Sequence, residues 1–132
     1  IFKKMYGAEK VVVIFLDNGR STAFNECLRC IGCGNCVTVC PVYNIIGSEF
    51  GYENYVGGRG VAFSDFIADE ETSLESGLFK CTLCGRCTEN CPVSLPTNDI
   101  IEELRANNNN AGIFLKPHSL IKNNIKDHDS PY

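Results

Sequence analysis

With 132 residues, 44% hydrophobic and 21% charged, the chain has the material for one small folded domain plus tails. Its formal charge of -4, with no stripe of basic residues, excludes a nucleic-acid partner bound through phosphates. No apolar run approaches the roughly eighteen residues a membrane span needs, so the chain reads as cytoplasmic, with small molecules or other proteins as partners. It begins at Ile1 rather than Met and lacks the charged n-region and cleavage site of a signal peptide, the pattern of a processed product or a piece of something longer.

In chain order, VVVIFL over residues 11–16 is a strand-length apolar run ended by the turn signal DNG at 17–19. Ser21 offers a cap to a helix running through TAFNECLR toward Cys30. The stretch CIGCGNCVTVCPVY follows from Cys30 to Tyr43 and returns as CTLCGRCTENCPVS from Cys81 to Ser94, identical at seven of fourteen positions. Between the copies, GRGVAFSDFIAD at 58–69 carries Val61, Ala62, Phe66 and Ile67 with partial helical period, and ETSLESGLF places Leu74 and Leu78 four apart. Thr97 is positioned to cap a helix NDIIEELRA, with Asp99 and Glu102 near its positive end. NNNN at 107–110 then reads as a linker into a tail in which Ile113, Phe114, Leu115, Leu120, Ile121 and Ile125 are available to dock on something. The expected organisation is a strand segment at 1–20 (the end of a larger domain or a docking piece), a cysteine-bearing helical domain at 21–106, and a linker and partner-docking tail at 107–132.

Nine cysteines are compatible with disulfides, zinc or iron-sulfur chemistry, and their spacing decides. Nine is odd, and C-x2-C-x2-C sets three thiols on a common point rather than in pairs. Structural zinc takes two cysteine or histidine pairs from separate segments. Here each copy supplies three close thiols, then a fourth after three residues, then proline. That is the bacterial-ferredoxin run, whose fourth cysteine ligates the other cluster. The expected cofactors are two 4Fe-4S clusters, one on Cys30, Cys33, Cys36 and Cys91, the other on Cys81, Cys84, Cys87 and Cys40. Neither copy completes a cluster alone, which explains the repeat. Pro41 and Pro92 turn the chain after each lent cysteine, and Gly34 and Gly85 answer either to crowding by a cluster or to a positive φ. The separation of the copies and the flanking helices predict a mainly α fold: an α-helical ferredoxin domain preceded by a short strand and followed by an extended tail.

Cys27 permits a shifted register, Cys27-Cys30-Cys33-Cys36, but that strands Cys40-Pro41; it reads as a buried free cysteine acting as a small apolar residue. His118 and His128 lack ligand spacing and read as solvated, and Arg29, Lys80 and Arg86 beside the ligand cysteines read as a solvated face. Phe50, Tyr52 and Tyr55 read as packing that keeps water off a cluster.

LDNGR leading to CLRCIGCGNCVTVCPVY, then FGYENYVGGRG, then KCTLCGRCTENCPVSLP, resembles the two-cluster region of the lactate-utilisation iron-sulfur proteins and their relatives, the glycolate oxidase iron-sulfur subunits and heterodisulfide reductase C subunits. The resemblance spans about residues 11–106. It implies an electron-transfer subunit of a larger oxidoreductase, with protein partners bearing a flavin or a cysteine-rich module. In that family an α/β domain precedes the clusters, and VVVIFLDNGR resembles its last strand. SLIKNNIKDHDSPY resembles the connection into the module that follows. No nucleotide-binding loop, nucleophile-base pair or flavin fingerprint is present, so the chain reads as an electron carrier without a substrate site of its own. A heterodisulfide-reductase-type subunit feeding a disulfide-reducing partner, and a structural, cluster-bearing assembly factor, are the alternatives.

Overall fold

The computed structural model describes residue 10, residues 12–16 and residues 25–132. From Asn25 to Arg29 the chain forms a single 3-10 turn that tucks Cys27 inward. The predicted cap at Ser21 lies outside the described residues. Helix α1 (Asn35–Thr38) and helix α2 (Pro41–Ile46) follow. Pro41 occupies the first position of α2, where its missing N–H costs nothing, and Cys40 is the cap residue, its sulfur accepting from the Tyr43 N–H at 3.4 Å. A hairpin then pairs β1 (Gly51–Tyr52) with β2 (Tyr55–Val56) in antiparallel register, Gly51 opposite Val56 and Tyr52 opposite Tyr55.

Helix α3 (Gly57–Ile67) is the centre of the molecule, packed on α4 (Glu70–Glu75), on α6 (Thr97–Asn110) and on the hairpin. Glycines make its first turn fit: a Cβ at Gly60 would run into the Tyr55 carbonyl. Short α5 (Arg86–Glu89) precedes α6, and α7 (Lys116–His128) closes the chain. Phe50, Val61, Phe63, Leu74, Leu78, Ile100, Ile101 and Leu104 form one core, joined by the buried Cys27. Two of the buried serines are bonded: Ser64 Oγ donates to Val61 O at 2.7 Å, Ser76 Oγ to Ser73 O at 2.8 Å, and the two hydroxyls meet at 2.9 Å; the hydroxyl of buried Ser73 has no partner among the described residues. Asp69 caps α4 by accepting the Thr72 N–H at 2.7 Å, which holds its carboxyl below the usual range.

The mainly α architecture is as expected, with four departures. Residues 12–16 form no strand; Phe15 and Leu16 are 92% and 90% exposed. A strand exists through its ladder, and none of the described residues pairs with this segment. Thr97 is not the cap of α6. Pro96 holds the cap position without a side-chain bond, and Thr97 is the first helical residue, buried with its methyl toward Gly58. NNNN is not an irregular linker, because α6 runs through it to Asn110. Asparagine is a poor helix former, but Asn108 is buried, and the end is closed by a Schellman motif: Gly112 has φ +79, its N–H donates to Asn109 O at 3.1 Å, and the Ile113 N–H to Asn108 O at 2.9 Å. The tail is likewise helical rather than extended over 116–128. Pro117 sits in its first turn, Lys126 and His128 in its last, each where the helix dipole and missing bonds favour it.

Candidate metal centre

The two cysteine copies fold alike. In the first, Gly32 (φ +69) and Gly34 (φ +77) bracket Cys33 before α1 carries Cys36; in the second, Leu83 (φ +53) and Gly85 (φ +76) bracket Cys84 before α5 carries Cys87. The Gly32 N–H donates to Cys30 Sγ at 3.4 Å, and the Leu83 N–H to Cys81 Sγ at 3.4 Å. Leu83 thus adopts a left-handed conformation that its glycine counterpart reaches without strain, a cost of about 1–2 kcal/mol. Nothing lies within 4 Å of a Cβ built on Gly34 or Gly85, so among protein atoms the positive φ, and not crowding, accounts for those glycines. The copies touch where Asn35 Nδ2 donates to Asn90 O at 2.7 Å. They diverge after their prolines: Pro41 starts α2, whereas the chain after Pro92 turns, with Ser94 at φ +51, and reaches α6.

Two cavities lie against these loops. Cys30, Cys33, Cys36 and Cys91 line one of about 180 Å³. Cys81, Cys84, Cys87 and Cys40 line another of about 20 Å³. Each therefore gathers three cysteines of one copy and the fourth of the other. Cys87 borders both. Cys33 and Cys84 are exposed, Cys40 is buried and the other five are half-buried. Cys27 lines neither cavity; it is 1% exposed in the core, and burial pushes its thiol up to about 11, in keeping with the small apolar role expected of it.

Burial raises the thiol pKa values of Cys36, Cys81 and Cys87, and neighbouring cysteines add to the rise: Cys30 and Cys87 on Cys36, Cys40 and Cys84 on Cys81, Cys81 and Cys84 on Cys87. Half-buried thiols that repel one another as thiolates are the donor set that a cationic iron core reverses, since a metal deprotonates its sulfur ligands outright. Among the described residues no three Cys, His, Asp or Glu side chains converge as a single metal ion would require; the sulfurs line the walls of volumes instead. Four soft thiolates per site are the donor set that iron-sulfur cages take.

Two arginines outside the repeated motifs bear on these loops, one lining the larger cavity and one bonded to the backbone at the start of the second copy. Arg59, in the first turn of α3, lines the larger cavity, with its guanidinium carbon 4.5 Å from the Phe63 ring centre and its Nε buried without a hydrogen-bond partner. Arg105, on α6, donates from Nε and Nη2 to Leu78 O at 3.0 and 2.8 Å, and from Nη2 to Cys81 O at 2.6 Å. Arg59 sits in the GGRG stretch, where a charged residue among glycines was the available signal. Arg105 had none beyond being a cation on a helix. Arg29, Lys80 and Arg86 are exposed, Lys80 donating to Glu49 O at 3.2 Å. His118 sets its ring edge-on to Phe79, with centres 5.2 Å apart, and His128 ends α7. Phe50, Tyr52 and Tyr55 line neither cavity: Phe50 is fully buried in the core, and Tyr55 stacks on Phe63 at 5.7 Å.

Residues 26–95 match the family described as the 4Fe-4S dicluster domain. The chain belongs to that family. It is 41% identical over 103 residues to lactate utilization protein B of Macrococcus caseolyticus, an alignment covering 75% of this chain and 21% of that protein. It is 37% identical over 106 residues to lactate utilization protein B 1 of Bacillus mycoides, covering 76% and 22%. With the lactate utilization protein B of Anoxybacillus flavithermus it shares 37% over 99 residues, covering 72% and 21%. The chain thus spans about a fifth of the length of the curated relatives it matches. Its cofactors are two 4Fe-4S clusters, and its chemistry is iron-sulfur electron transfer. Among the described residues no helix is long and apolar enough to cross a membrane.

Proposed function

We propose that the chain is the electron-transfer segment of a multi-component, cytoplasmic oxidoreductase of the lactate-utilisation type, with one 4Fe-4S cluster held by Cys30, Cys33, Cys36 and Cys91 and the other by Cys81, Cys84, Cys87 and Cys40. The observation that carries this reading is the exchange of fourth cysteines between the cavities: Cys91 borders the volume of the first copy and Cys40 that of the second. A bound 4Fe-4S cluster supplies one-electron chemistry. The protein's part is to hold eight thiolates, donate N–H groups from Gly32 and Leu83 to sulfur, and keep Cys36, Cys81 and Cys87 partly out of water. The exposed Cys33 and Cys84 mark the edges where a redox partner can approach.

Oxidation of a 2-hydroxy acid needs a two-electron centre such as a flavin, which this reading assigns to a partner polypeptide. Residues 21–106 would be the cluster domain and the flanking segments the docking pieces. Leu120, Ile121 and Ile125 on α7, together with Val12 to Leu16, are exposed apolar residues that a partner would cover. The test is an anaerobic redox titration of the whole chain followed by electron paramagnetic resonance (EPR), with 2-hydroxy acid turnover assayed alongside. Two reversible one-electron signals and no turnover are expected. Clusters that do not cycle would point to a structural role, and turnover by the pure chain would contradict the assignment of chemistry to a partner.

A further inference from the structure

Adjacent residues in the first turn of α3 face different cavities: Gly58 borders the smaller and Arg59 the larger. The position is fixed by close packing, since a Cβ at Gly60 would strike the Tyr55 carbonyl and one at Gly57 would come 3.3 Å from Val37. Arg59 is steadied from the other side by Phe63, which stacks in turn on Tyr55 with ring planes 4° apart. A guanidinium so placed has a rigid fork of donors. One of them, Nε–H, is buried and lacks a protein acceptor. Buried donors in folded proteins find acceptors, because a donor without one carries its full desolvation penalty. Besides the neutral side chains of Asn54 and Thr97, the side chains lining this cavity that attract a cation are the sulfurs of Cys30, Cys33, Cys36, Cys87 and Cys91.

The second cavity offers the control within the same molecule. Arg105 does not line that cavity but reaches the loop that starts the second copy, where its Nε and Nη2 are engaged by the carbonyls of Leu78 and Cys81. Its role is to anchor the loop that starts the second copy, and those donors are not available to sulfur.

We infer that Arg59 tunes the cluster of the larger cavity, donating a charge-assisted hydrogen bond to its sulfur and making it the easier of the two clusters to reduce. The inference rests on the ligand sets proposed above. Its physical basis is that hydrogen bonds to sulfur and nearby positive charge stabilise the reduced, more negative state. A charge-assisted bond of ordinary strength corresponds to about tenfold or more in the one-electron equilibrium, and each tenfold is about 59 mV.

The experiment is a potentiometric titration, monitored by EPR, of the reconstituted full chain and of Arg59→Gln and Arg59→Lys, with iron counted in each. Cys91→Ser identifies separately which signal belongs to the larger cavity. Arg59→Gln is expected to keep both clusters, to make that cluster at least about tenfold harder to reduce, and to leave the other unmoved; Arg59→Lys, which keeps the charge, should recover part of the loss. Unchanged potentials with full iron, or a shift confined to the other cluster, would overturn the inference. If Arg59→Gln fails to hold iron, Arg59→Lys decides: it loses the planar fork, so a smaller shift of the same sign in the same cluster supports the inference and no shift overturns it. Should Cys91→Ser instead remove the cluster of Cys81, Cys84 and Cys87, the ligand sets fail, an outcome visible without any Arg59 variant.

Discussion

The two cysteine cavities share a motif, a loop backbone and a sulfur-directed N–H, yet their walls differ. The larger, of about 180 Å³, has Gly32 in its loop and Arg59 in its wall with an unengaged donor; the smaller, of about 20 Å³, has Leu83 in the matching place and no arginine in its wall, Arg105 being held behind its loop by the carbonyls of Leu78 and Cys81. The repeated residues fix where thiolates go. The residues that differ between the copies, and the helices that lie outside them, give each site its own polarity and access. Two sites lined by the same kind of ligand can then differ in potential.

The largest expected effect comes from the scaffold both cavities share. Phe50 is fully buried and lies against the turn at Gly77. Phe50→Ala should cost about 3–5 kcal/mol, lowering the denaturation midpoint and loosening both clusters together, which would erase the comparison. Arg105→Met sharpens it: loss of its bonds to Leu78 and Cys81 should cost about 1.5–3 kcal/mol, with iron released from the cluster of Cys81, Cys84 and Cys87 before the other in a chelator challenge. Gly32→Ala asks the first loop to carry the left-handed strain that Leu83 already bears, and with no atom near its Cβ the cost should be only about 1–2 kcal/mol, read by thermal melting. Cys27→Ser should have the smallest effect on the clusters, retaining about eight irons per chain. Because burial raises the Cys27 thiol to about 11 from 9.0, the stability it contributes is present below pH 9 and is lost as pH rises through about 11. The variant should flatten that alkaline loss in a pH series of unfolding curves.

The ligand loops were legible because the repeated spacing brings three thiols of one copy to the wall of one cavity, and the helical character because apolar residues recur at helical period in α3 and α6. The left-handed Leu83 was legible only by laying it on Gly32, since leucine carries no such signal alone. At NNNN, composition outweighed the better clue, a glycine at 112 followed by an apolar residue, which is the mark of a Schellman end. Thr97 looked like a cap by type but is used for packing against Gly58, a tertiary demand that local sequence does not display. The segment 12–16 had strand composition and no partner, and pairing is a property of two segments. Arg59 was hidden for a related reason. Its meaning comes from a cavity whose cysteines lie more than twenty positions away in both directions.

The central claim is that each copy lends its fourth cysteine to the other. It is tested most directly by reconstituting Cys40→Ala anaerobically and identifying the surviving cluster by EPR against a Cys91→Ala control. The account predicts that Cys40→Ala retains the cluster of Cys30, Cys33 and Cys36, its near neighbours in sequence, and loses or degrades that of Cys81, Cys84 and Cys87, with Cys91→Ala giving the reverse. Loss in Cys40→Ala confined to the cluster of Cys30, Cys33 and Cys36 would contradict it.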